Sequence, residues 1–369
     1  MKFAKHWAGQ VEDYAIDLAW SPDGALLAVA AQSGAITLFD ATTGAVKHTL
    51  PGHADGANAL AWAPPAVGGA LRPEESRDKP APTVLATAGQ DGAVRFWDAS
   101  TGRPTAEAKL GHMWIEHLGW VGRTVPGEPS SAARPEDSPC LFAAAGKKLV
   151  ALRPDGAIAH TFPDASKTIS ALAIGTSTFD SRASTYVAAA CFGQVRVFDA
   201  VTFAPAKEYT YGNALLALTW SPDGRWLVAG CHDNAVHLWA PAEDLELHMS
   251  GYETKLRELS FSHDSKWLAT GGGRDACVWD CSGPGPEGRE PLLLPHKAPV
   301  RAVAFQNRHS LLATGAADGE FTLWGPTRSS PLLVEVRMPA AATKFAWRHD
   351  DALLAVGTEQ GHVFVFKTT

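Results

Sequence analysis

The chain has 369 residues, 46% apolar and 19% charged, enough to bury a large core as two ordinary domains or one large repeat domain. With 32 Lys and Arg against 39 Asp and Glu, the net charge of −7 and the absence of a basic run exclude a binder that works by neutralising nucleic-acid phosphates. No run of 18 apolar residues predicts a membrane span, and the opening MKFAKHWAGQVEDY lacks the apolar stretch of a secretory signal.

In chain order, the sequence predicts strand-like runs that come in matched pairs. AIDLAW (15–20) precedes LAVAAQSGAITLFD (27–40), NALAW (58–62) precedes LATAGQDGAVRFWD (85–98), and EHLGW (116–120) precedes a degenerate LFAAAGKKLVAL (141–152). SALAI (170–174) leads to VAAACFGQVRVFD (187–199), LLALTW (215–220) to LVAGCHDNAVHLW (227–239), and RELSF (257–261) to LATGGGRDACVWD (268–280). RAVAF (301–305) with LATGAADGEFTLW (312–324) and TKFAW (343–347) with LAVGTEQGHVFVF (354–366) complete the series. SPDG at 21–24 and 221–224 is a tight-turn signature, and a weaker fourth strand such as VKHTL (46–50) follows the pair. Helical periodicity is absent. The pattern is an array of short antiparallel sheets, none of which can bury its faces alone.

DGAVRFWD (91–98), with Gly52-His53 ahead of it and SPDG turns elsewhere, resembles the WD40 repeat of β-propellers, and the resemblance covers essentially the whole chain. It implies an all-β fold with one propeller domain over 1–369, built of four-stranded blades. The ring would be closed by KFAKHWA (2–8) pairing with HVFVF (362–366). Counting units gives eight blades; seven is the alternative if the degenerate third unit (112–162) is not one. The resemblance also implies a hydrogen-bonded relay inside a blade. Two units carry it in full: His53, Thr87, Asp91 and Trp97, and His296, Thr314, Asp318 and Trp324. In the fifth unit Tyr211 stands where the His belongs and Ala229 replaces the hydroxyl, beside Asp233 and Trp239. The sixth keeps Thr270 and Trp279 and puts Asp275 out of register. A hydroxyl–His–acid set invites a catalytic reading, but catalytic constellations are singular and this one recurs, so it reads as structure.

Departures from the repeat are the places to look for function. Insertions at 64–82 and 121–139, a milder one at 175–184 and the link 281–291 are rich in Pro, Glu, Arg and Ser. They read as exposed loops on one face and form a candidate docking rim. On the opposite face, aligned innermost strands put Ile16, Asn58, Glu116, Ser170, Leu216, Arg257, Arg301 and Thr343 around a channel mouth, with Trp114, Tyr252 and Lys297 just outside. Asn58, Trp114, Glu116, Tyr252, Arg257, Lys297 and Arg301 are the candidate partner-binding residues; two arginines beside an aromatic suit a carboxylate or an acidic motif.

GxxxxGK[ST], HExxH, CxxC pairs and GxSxG are missing. Neither the hairpin holding Cys231, His232, Asp233 and His237 nor the pair Cys277 and Cys281 offers a converging zinc set, so no metal, cofactor or catalytic residue is expected. The five cysteines, Cys140, Cys191, Cys231, Cys277 and Cys281, read as free thiols of a cytoplasmic protein. The expectation is a non-catalytic scaffold, or a subunit of a larger assembly, that binds other proteins or peptides, without nucleic acid or membrane. The alternative is a propeller enzyme or a small-molecule or metal binder using the channel mouth.

Overall fold

The computed structural model describes residues 3–65, 83–122, 139–179 and 182–368, and these form eight four-stranded antiparallel sheets. Alternating Val, Leu, Phe and Trp build each strand, and glycines at tight turns reverse the chain. Gly92, at φ 70°, is one such position, and a Cβ there would also meet the Gly111 carbonyl oxygen at 2.2 Å. The innermost strands, in ring order, are Ala15–Trp20, Ala57–Trp62, Ile115–Val121, Ile169–Phe179, Leu215–Trp220, Leu259–Phe261, Val300–Phe305 and Ala342–Trp347. Each touches the next, and the last returns to the first, so the sheets are blades of a closed ring. The third unit is a complete blade, which settles the count at eight.

Cores lie between blades rather than within one. Val94 and Phe96 of the second sheet pack with Leu141, Ala143, Val150 and Leu152 of the third, all buried. Alanines on the second strands (Ala28, Ala30, Ala86, Ala88) leave room for the larger side chains of the neighbouring sheet. The ring closes through Phe3–Gln10, which pairs with His362–Thr368 from Phe3↔Thr368 to Gln10↔His362, as the outermost strand of the eighth blade. Phe3 stacks on Phe366 at 5.0 Å, and the Trp7 indole donates to the Ala41 carbonyl at 2.9 Å, tying that strand to the first blade.

Two side-chain latches bind blade to blade. Trp20, Trp62, Trp120 and Trp347, at the ends of innermost strands, each donate from Nε1 to a backbone carbonyl of the preceding blade: Ala346, Ala19, Ala61 and Ala304. At the other end of these strands Asn58, Ser170 and Thr343 donate to the Ile115, Leu215 and Ala15 carbonyls of the next blade. Trp220 differs. Its ring lies against Gly175, where a Cβ would come within 2.4 Å, and its Nε1 has no hydrogen-bond partner among the described residues.

Of the segment 175–184, expected as a loop insertion, residues 175–179 and 182–184 are strand instead. Ile169–Phe179 and Arg182–Cys191 stay in register from Gly175↔Tyr186 to Phe179↔Arg182, because the Gly-Thr-Ser-Thr-Phe run keeps strand-forming residues in place of turn residues. The link 281–291 is anchored by an Arg289–Asp280 ion pair and by Arg225 donating to the Gly283 carbonyl at 2.6 Å. Of the two larger insertions, residues 66–82 and 123–138 lie outside the described residues.

Candidate functional site: the channel mouth

In seven of the eight blades the innermost strand opens with a register shift, for instance between Ala15 and Asp17 and between Ile115 and His117. Such a bulge turns consecutive residues toward the same side. Such bulges line the mouth with Glu116 beside His117 and Thr343 beside Lys344, and Arg257 with Glu258, just ahead of the sixth innermost strand, joins them around a cavity of about 690 Å³. Ile16, Asn58 and Arg301 line the same cavity, so the structure brings these aligned positions together. Asn58 is also committed to the blade-to-blade bond with Ile115.

The second members of these pairs escape a reading that follows one position per strand. Asp17 holds Lys344 at 3.4 Å across the seam between the first and last blades, and its other oxygen accepts the Leu60 amide at 3.1 Å. Burial drives the His117 imidazole down to about 4, so it is neutral at pH 7. Burial raises the Glu258 carboxyl, while Arg301 and Arg257 oppose that rise. Arg257 and Arg301 themselves are exposed, and neither forms a salt bridge with a described residue.

Two other candidates have different work. Tyr252 is half-buried: its hydroxyl lies 3.0 Å from Thr270 Oγ1 and accepts from Trp279 Nε1 at 2.7 Å. It fills the place a histidine takes in other blades, so it belongs to a relay and not to a partner surface. Lys297 stands 3.6 Å from Glu320 and 3.7 Å from Glu335, which neutralise it. Trp114 remains open: it is 53% exposed beside Met113 at 56%, on the loop that leads into the third innermost strand.

The relays show what the repeated polar residues do. In the second blade Trp97 Nε1 donates to Thr87 Oγ1 at 2.9 Å, Thr87 lies 3.0 Å from His53 Nε2, and His53 Nδ1 lies 2.9 Å from Asp91. Arg95 Nη1 closes the set, 2.7 Å from Asp91 and 2.7 Å from His53 Nδ1, and burial lowers the His53 pKa, which keeps the ring neutral at pH 7. In the seventh blade Trp324, Thr314 and His296 repeat the chain at 2.7 and 2.9 Å, but the acid is Glu320 at 2.9 Å and not Asp318. Glu320 occupies the place of Ala93 in the second blade and its longer side chain reaches the imidazole. Asp318 turns out to Arg337 at 2.7 Å. Among the described residues no three His, Cys, Asp or Glu side chains converge as a metal site. Burial pushes the Cys231 and Cys281 thiols up to about 12 and Cys277 up to about 11, keeping all three protonated.

Eight four-stranded blades, closed by a strand from the other end of the chain and pinned by Trp–hydroxyl–His–acid relays, define a repeat β-propeller. Comparison with known proteins agrees. The family described as "WD domain, G-beta repeat" matches residues 206–240, 244–280 and 290–325, and "Anaphase-promoting complex subunit 4 WD40 domain" matches residues 3–64. The chain is a WD40-repeat β-propeller. It is 28% identical over 192 residues to Elongator complex protein 2 of Dictyostelium discoideum, covering 44% of this chain and 21% of that protein. It is 32% identical over 155 residues to human WD repeat-containing protein 90, covering 38% of this chain and 8% of that one. The chain thus spans about a fifth or less of these relatives' own length. The solved Dos1 propeller shares the fold over 99% of this chain and 95% of its own, with a TM-score of 0.76 at 18% identity.

Proposed function

We propose that this propeller is a non-catalytic docking subunit whose seat is the channel mouth, where Arg257 and Arg301 receive an acidic side chain or a terminal carboxylate of a protein partner. The observation that carries it is the pair of exposed guanidiniums without a salt bridge to any described residue, at the rim of a polar cavity of about 690 Å³. A bidentate guanidinium–carboxylate contact gives both energy and orientation, and Trp114 and Met113 on the same face supply apolar anchors. The relatives give coarser support: two matched descriptions name subunits of multi-protein complexes. The proposal places the protein in the cytoplasm, where cysteine thiols such as Cys231, Cys277 and Cys281 stay reduced.

The test is affinity purification of native complexes with the wild-type chain and with Arg257→Glu/Arg301→Glu. The double reversal is expected to lose at least one specific partner while the melting temperature is kept; an unchanged partner set removes this face from the proposal. A second reading, a small anionic ligand held at the same mouth, draws on Lys344, which lines the cavity with the two arginines. A ligand screen by melting temperature separates the two, because a site-bound small molecule raises it without any protein partner.

A further inference from the structure

In two blades the third and fourth strands carry a complementary charged pair at directly opposed positions. Arg95 stands opposite Glu107 in the second blade and bonds it at 3.0 Å; Arg196 stands opposite Glu208 in the fourth. The equivalent positions of the fifth blade, on Val236–Ala240 and Leu245–Met249, are His237 and His248, directly opposite each other. Two imidazoles cannot replace an ion pair: protonated they repel, and like charges directly opposite destabilise a sheet.

Their geometry serves something else. His237 Nε2 lies 2.6 Å from Glu246 Oε1, and an ionised carboxylate only accepts, so Nε2 carries the proton and Nδ1 presents its lone pair. That Nδ1 faces His248 Nδ1 at 3.4 Å. Two imidazole nitrogens each about 2.05 Å from one tetrahedral ion stand about 3.35 Å apart, whereas a square-planar ion would draw them to about 2.9 Å. The His237 ring is fixed between Tyr211, with centroids 4.8 Å apart, and Trp239, at 4.6 Å. The carboxylate behind it is the partner that orients and strengthens a metal-bound histidine.

We propose that His237 and His248 form a cross-strand binding site for a tetrahedral divalent ion of the zinc class, with Glu246 as the orienting carboxylate and two coordination positions left to water. Two protein ligands make this an exchangeable site on the outer rim of the fifth blade and not a folding staple. It is independent of the channel mouth.

The experiment titrates the tag-free full chain with zinc chloride by calorimetry at neutral pH, and with cobalt(II) by visible absorption, which reports tetrahedral coordination. One saturable ion per chain is expected. His248→Ala, at an exposed position, is expected to weaken zinc binding at least tenfold and to abolish the cobalt band, Glu246→Gln to weaken it several-fold, and His232→Ala to leave it unchanged. The proposal is overturned if the wild-type chain shows no saturable site, or if His248→Ala binds zinc as the wild type does, since the two histidines then serve only as a hydrogen-bonded pair.

Discussion

His117 shows what one buried side chain does to the pH response of the molecule. Its imidazole is held near 4 in the folded chain against 6.5 when free, with burial as the main cause. As pH falls through 6.5 the unfolded chain takes up the proton first, and the folded chain does so only near 4. Stability that is complete above 6.5 is therefore lost across that window, by an amount on the order of 3 kcal/mol. His53 and His237 are lowered in the same direction and add to the slope. Melting temperature measured across this range is expected to fall less steeply in His117→Gln than in the wild type; equal slopes would assign the effect to the other histidines. The sequence carried no sign of this residue's burial, because only the strand bulge puts Glu116 and His117 on one wall. The exchange of Asp318 for Glu320 was hidden for a related reason: a motif fixes spacing along the chain, while side-chain length decides which carboxylate reaches the imidazole.

At the scale of strands, the indole latches are the regular device that the repeat's internal pattern does not reveal. A tryptophan closing AIDLAW or NALAW reads as a strand end, since its acceptor belongs to the preceding blade. Comparing two substitutions isolates the bond. Trp62→Phe removes a donor that satisfies the Ala19 carbonyl, whereas Trp220→Phe removes one that has no hydrogen-bond partner among the described residues. Both lose the same ring volume, so chemical denaturation is expected to show Trp62→Phe costing about 1 kcal/mol more than Trp220→Phe. A reversed or absent difference would mean that these bonds add nothing over contacts with water. The strands themselves were legible, since alternation and turn glycines act locally. The long hairpin of the fourth blade was not, because Thr-Ser-Thr suits a loop or an exposed strand equally well.

For the whole ring, the eight-fold count and the closing strand could be read from the chain because even the degenerate third unit keeps its runs in order. The strand Phe3–Gln10 completes a sheet whose other members lie at the opposite end of the sequence. Deleting residues 3–10 is expected to lower the melting temperature sharply and to promote association through the bared edge of His362–Thr368. A synthetic peptide of that segment added in excess is expected to recover much of the loss, and failure to recover it would place the strand's contribution elsewhere. The same arrangement shapes how the protein is made. Of the described strands, the first to leave the ribosome is the last to find its partner. At about 5–20 residues per second, the wait lasts on the order of tens of seconds. Through that interval Trp7 can rest on the first blade, but Phe3 lacks Phe321 and Phe366, so the nascent chain carries a strand with an unpaired edge until the final blade emerges to receive it.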